Sequence, residues 1–216
     1  MLLLIAKSLM DCLQDRIVGP DQPSRTKESK PVTLLLQFKI TLLDTEPAIW
    51  RKIQVPDCTL NVLHEYIQSV MGWENYHMHQ FEIDGERYSS PAPDDLDFGM
   101  DVEDETKVML NKLLPNSGKR TRWIYEYDFG DGWRHEVLFE GNPLPEKGKK
   151  YPVCLDGERA CPPEDVGGPW GYAEFLEAMA DPKHEQHDQF IEWRGPCDPE
   201  AFDVKKATRE IRKVKP

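Results

Sequence analysis

Positive charge is scarce in this 216-residue sequence: 27 Lys and Arg stand against 39 Asp and Glu, a formal net charge of −12. A surface so acidic repels phosphate backbones, which argues against nucleic-acid binding by the chain alone. Cysteine is sparse as well. Five residues (Cys12, Cys58, Cys154, Cys161 and Cys197) at irregular spacing make no disulfide framework, and an odd count fits a reducing compartment. A membrane span is also missing from the apolar start, MLLLIAKSLMDCLQDRIVG. Lys7, Asp11 and Asp15 break it well short of the roughly 20 apolar residues a helix needs to cross a bilayer. It reads as an amphipathic helix, and a cytoplasmic protein without membrane contact is expected.

Residues 19–31, GPDQPSRTKESKP, are polar and rich in breakers, so residues 1–31 read as a helix plus linker and 32–216 as one domain. The domain opens on VTLLLQFKITLL, whose period-2 apolar face predicts a strand, with IWRKIQV as the second arm of a hairpin. Leu60, Leu63, Ile67, Val70 and Met71 recur at helical spacing between a capping Thr59 and a terminating Gly72. HMHQFEI and KVMLNKLL read as strands on either side of an acidic loop. The resulting fold class is α+β: a largely antiparallel sheet with one packed helix, in a β-grasp-like arrangement. A Pro/Gly-rich wrap follows from Gly141, then three C-terminal helices. The second of these is expected to start at Asp181-Pro182 and the third at Asp198-Pro199.

The densest polar run is YDFGDGWRHEV, residues 127–137. Its alternation predicts strands WIYEYDF and RHEVLFE closed by a type I′ turn at Asp131-Gly132, which places Asp128, Asp131, Arg134 and His135 on one rim. Those four can supply metal ligands or acid/base groups, with Arg134 clamping an anionic substrate. Equally, the carboxylates can satisfy turn amides while Arg134 pairs with Glu126 across the strands. The tripeptide DFG lacks every companion motif of a protein kinase.

His77 and His79 form an H-x-H pair that can share a metal from one side of a strand, though Phe81 and Ile83 on that side suggest a core face. Cys154 and Cys161 can offer thiolates to zinc, but their spacing is wider than a zinc knuckle and buried free thiols are the simpler reading. His184 and His187 suit an exposed helix start. Asp95, Asp97 and Asp101 fail the EF-hand pattern because Gly99 falls at its fifth position. Gly167-Gly168 has no phosphate-loop context. No cofactor is expected, with zinc as the alternative at these His and Cys positions.

LHEYIQSVMGW, HMHQFEIDG, YDFGDGWRHEV, CPPEDVGGPWGY and EWRGPCDPEAFDV together resemble the plasmid pRiA4b ORF-3-like family over about Val32 to Val204. The resemblance implies an α+β fold, no established activity, and an association with plasmids and mobile elements. The chain shows no serine- or tyrosine-recombinase pattern. Whether it is an enzyme stays open. The leading expectation is a non-catalytic interaction or accessory module with a protein partner. Its contact surfaces would be the hairpin rim, the acidic loop and the basic tail of Lys205, Lys206, Arg209, Arg212, Lys213 and Lys215. The alternative is a metal-assisted hydrolase built on residues 128–135.

Overall fold

Alternation from Leu36 onward sets the first strand, Leu35–Leu42 (β1): Phe38, Ile40 and Leu42 are enclosed, whereas Gln37, Lys39 and Thr41 stay partly open. It forms an antiparallel hairpin with Ile49–Pro56 (β2). Thr59 then caps Leu60–Met71 (α1) by accepting from the Val62 N–H, and Gly72, left-handed at φ 108°, ends it by donating to Gln68 O. The apolar stripe of α1 is buried in the same core as β1 and β2.

The computed structural model describes residues 34–91, 102–115, 117 and 119–215. The expected helix and linker of residues 1–31, and the acidic Asp95, Asp97 and Asp101, lie outside the described residues. The remaining strands are His79–Ile83 (β3), Glu86–Ser89 (β4), Glu103–Asp104 (β5), Thr121–Tyr127 (β6), Trp133–Gly141 (β7) and Val153–Glu158 (β8). They complete one sheet in the order β5-β4-β3-β6-β7-β1-β2-β8, antiparallel except for the β4–β5 pair. The helices are Leu110–Leu113 (α2), Gly168–Ala180 (α3), His187–Arg194 (α4) and Val204–Ile211 (α5). The architecture is α+β. No helix among the described residues is long and apolar enough to cross a membrane.

Four local expectations are corrected. KVMLNKLL is not a strand: it makes one isolated bridge, Thr59 with Met109, and then turns into α2, because Leu110 N–H donates to Cys58 O and its side chain is drawn into the core. The β6–β7 connection is a five-residue loop rather than a two-residue turn, with positive φ at Asp128 and Gly132 and not at Asp131. Asp181 starts a single turn by accepting from Lys183 N–H, so α4 begins at His187. Asp198 likewise accepts from Glu200 N–H, and the true cap of α5 is Asp203, whose side chain accepts from both Lys205 and Lys206 N–H.

The wrap is fastened by Arg51, which is fully buried. Its Nε donates to Val70 O (3.0 Å), Nη1 to Trp50 O (2.8 Å) and Glu158 O (2.7 Å), and Nη2 to Arg159 O (2.7 Å). The guanidinium also stacks on Phe202, 3.9 Å from the ring centre. One cation thus joins β2, the C-terminal end of α1 and the chain leaving β8.

Three imidazoles, those of His64, His79 and His135, are buried, and burial lowers the pKa of two of them. His64 bonds through Nδ1 to Tyr125 Oη (2.8 Å) and stacks on His79; burial and the adjacent His79 push its pKa down to about 3. His135 accepts at Nε2 from Trp73 Nε1–H (3.2 Å), and burial pushes it down to about 4. Below pH of about 6.5 the unfolded chain takes up protons that these native histidines refuse, so stability falls with falling pH. Each histidine lowers the unfolding free energy by about 1.4 kcal/mol per pH unit between about pH 6.5 and 4. Urea unfolding at pH 7 and pH 5 is expected to show a clear drop in midpoint at pH 5; equal midpoints would contradict this burial.

Candidate functional site

Three irregular segments meet at the closed end of the β6–β7 hairpin: the loop between α1 and β3, the hairpin loop 128–132, and the Pro/Gly-rich run 161–167 that leads into α3. Each carries one non-glycine residue at positive φ, namely Asn75 (59°), Asp128 (56°) and Asp165 (57°). Asn and Asp tolerate this conformation best, and such backbone concentrates at functional sites.

The hairpin loop is organised by Asp128. Its Oδ1 accepts from Gly130 N–H (3.0 Å) and Asp131 N–H (3.4 Å), and its backbone N–H donates to Met78 O (2.9 Å). With Oδ1 engaged, Oδ2 is left facing His77 Nε2 at 3.5 Å. Asp131 serves the third segment instead, accepting through Oδ2 from Gly167 N–H at 3.1 Å. Gly168, at φ 68°, allows the close approach: a Cβ there would run into the Asp131 carbonyl oxygen. These contacts seat CPPEDVGG against the hairpin.

That seating delivers two acids. Glu164 is only 7% exposed. Its Oε1 accepts from Glu74 N–H (2.6 Å) and from Tyr127 Oη–H (3.0 Å), and Tyr127 Oη in turn accepts from Tyr76 N–H (3.0 Å). Burial raises the Tyr127 pKa, which keeps the phenol protonated as a donor. Among the described residues Glu164 Oε2 has no hydrogen-bond partner, and it lies 3.9 Å from His77 Nε2. Asp165 Oδ1 lies 3.1 Å from the same nitrogen. None of these contacts has hydrogen-bond alignment, so the enclosed His77 Nε2 is also unpartnered.

One imidazole nitrogen and three carboxylate oxygens therefore converge, and the ligand atoms of His77, Asp128 and Asp165 all lie within 4.8 Å of one another. Among the described residues no Lys or Arg forms an ion pair with these carboxylates; His77 is their shared neighbour. Leaving a buried polar group unpaired costs about 1–3 kcal/mol. His77, Asp128 and Asp165 have the spacing of a three-residue cation site, and Glu164 Oε2 stands at its edge, 3.9 Å from His77 Nε2.

The structure sorts the residues singled out from sequence. His77 and Asp128 sit in the cluster. Asp131 stands beside it as the anchor of Gly167. Arg134 is exposed on β7 opposite Glu126, and no ion pair joins the two. His135 is sealed in the core on Trp73 and Tyr125 O. His79 parts from His77 because only His79 lies on β3; its ring is buried and its Nε2 donates to both oxygens of Glu105 at 3.0 Å. Cys154 and Cys161 lie outside the cluster; burial pushes Cys154 up to about 11 and Cys161 further, so both are neutral thiols. His184 and His187 bond to local backbone.

Sequence reasoning passed over Glu164 and Asp165. Their signal is an acid pair inside a Pro- and Gly-fixed segment, where neither a helix nor a strand explains two adjacent charges.

A profile of the family described as plasmid pRiA4b ORF-3-like protein matches residues 35–206, a span that includes all four converging side chains. The chain is 40% identical over 168 residues to the uncharacterized protein y4hQ of Sinorhizobium fredii (strain NBRC 101917 / NGR234), covering 77% of this chain and 84% of that one. It is also similar to the crystal structure of a protein of unknown function, MM3350, from Methanosarcina mazei Go1. That similarity has a TM-score of 0.72 and 37% identity, and covers 81% of this chain and 97% of that chain.

Proposed function

The chain belongs to the plasmid pRiA4b ORF-3-like family, and from that premise we propose that it works through a divalent-cation centre held by His77, Asp128, Glu164 and Asp165. The carrying observation is the buried Glu164 Oε2, which has no hydrogen-bond partner among the described residues and lies 3.9 Å from His77 Nε2, likewise unpartnered among them. A ligand set of one imidazole and three carboxylates, with no thiolate, suits Mn²⁺, Fe²⁺ or Zn²⁺ better than soft ions.

A divalent ion held by His77, Asp128, Glu164 and Asp165 would supply Lewis-acid activation of water and of a substrate oxygen, so the reaction class this reading supports is metal-assisted hydrolysis. The chain's own contribution is orientation. Tyr127 and the Glu74 N–H fix one oxygen of Glu164 so that the other is presented, as supporting contacts around metal ligands do.

The test is cation uptake after exhaustive chelation. Mn²⁺ and Zn²⁺ are expected to bind one per chain, and at a hundred times Kd to add about 2.7 kcal/mol of stability. For a chain of this size that is a rise in melting temperature of about 5–10 °C. His77→Ala is expected to abolish the rise. Absence of saturable uptake, or uptake indifferent to His77→Ala, overturns the reading.

A further inference from the structure

Large apolar side chains stand exposed on the segments that form this acidic cluster. Tyr76 (70% exposed) and Met78 flank His77, Phe129 follows Asp128, and Trp170 (89% exposed) stands in the first turn of α3, two residues after the glycine pressed against Asp131. Scattered exposed hydrophobics are ordinary on protein surfaces, but here all four lie on the segments that carry or adjoin the converging ligands. The Tyr76 side chain is also held in place, its Oη–H donating to Glu74 Oε2 at 2.5 Å.

Charge supplies the second constraint. A doubly charged cation held by three carboxylates and a neutral imidazole leaves one net negative charge. No Lys or Arg pairs with those carboxylates among the described residues, and the nearby Arg194 is engaged with Glu74 at 3.5 Å. A phosphate or carboxylate substrate therefore meets like charge and lacks the basic fork that normally receives it. A neutral carbonyl compound meets neither obstacle, and its oxygen can occupy an open position on the ion.

We infer that the centre takes a neutral carbonyl ligand bearing an aromatic or large apolar group, as at a hydrophobic peptide bond, with Tyr76, Phe129 and Trp170 receiving that group. This inference rests on the metal reading of the same cluster. Aromatic rings favour such partners by offset or edge-to-face contact as well as by burial.

Calorimetric titration of the Mn²⁺-loaded full chain with three probes tests it: N-acetylphenylalaninamide, N-acetylglycinamide and inorganic phosphate. The aromatic amide is expected to bind about tenfold more tightly than N-acetylglycinamide, and phosphate about tenfold less tightly. In the double variant Tyr76→Ser, Trp170→Ser the aromatic preference is expected to fall to within about twofold, with Mn²⁺ and N-acetylglycinamide affinities unchanged. Phosphate binding as tightly as N-acetylglycinamide, or an aromatic preference that survives the double variant, overturns the inference. Failure of Mn²⁺ itself to bind overturns the metal reading along with it, whereas Mn²⁺ binding without aromatic preference overturns this inference alone.

Discussion

Glu164→Gln is expected to lower Mn²⁺ affinity by about 100-fold, or about 2.7 kcal/mol, while making the metal-free protein more stable. The amide keeps the fixed half of the side chain: Oε1 still accepts from Glu74 N–H and Tyr127 Oη–H. What changes is the other half. The unpartnered Oε2 becomes an NH₂ group facing His77 Nε2, and one of the negative charges beside that nitrogen is lost. Satisfying buried polar atoms and relieving like charge is worth about 1 kcal/mol or more, a rise of a few degrees in melting temperature with chelator present. Opposite signs for binding and stability distinguish a metal ligand from a structural carboxylate. Calorimetry and melting curves with and without chelator measure both; a destabilised metal-free variant with unchanged Mn²⁺ affinity would identify Glu164 as structural.

Arg51→Met is expected to destabilise the fold by about 3–5 kcal/mol, roughly 10 °C or more in melting temperature. Methionine refills much of the volume but donates no hydrogen bond. It leaves the carbonyl oxygens of Val70, Glu158 and Arg159 facing a dry interior, where each unmade bond to a charged donor is worth about 1.5–3 kcal/mol. Arg51→Lys retains the charge but not the planar fork, and is expected to recover only part of the loss. The consequence reaches the site, because Arg159 begins the stretch that delivers Glu164 and Asp165. Guanidinium-induced unfolding measures the loss; a change below about 1 kcal/mol would show that the carbonyls find other partners.

The sequence was legible wherever structure is local. Thr59 and Gly72 announced the ends of α1, and the alternation of β1, β6 and β7 gave the face that becomes the core. His135 was misplaced on the hairpin rim: it shares the β7 face of Val137 and Phe139 and is buried with them. Local reading failed at Asp181 and Asp198, where an Asp side chain closes a single turn as readily as it caps a helix. At the site, the chemistry of His77 and Asp128 was readable, but their company was not. Asp131 reaches Gly167 across 36 residues, and nothing periodic links the hairpin to CPPEDVGG. His77 and His79 look like a pair until the start of β3 falls between them. The expectation of an interaction module followed from acidity and from the lack of a known motif. The proposed metal-assisted reading rests on His77, Asp128 and Asp165 with Glu164 beside them, a set different from the hairpin rim first considered.

The decisive measurement is anomalous X-ray scattering from crystals of the full chain grown with Mn²⁺ after chelation. The expected result is one strong peak about 2.1–2.3 Å from His77 Nε2 and from oxygens of Asp128, Glu164 and Asp165. No peak there, or a peak only at surface carboxylates elsewhere, would contradict a cation centre in this fold.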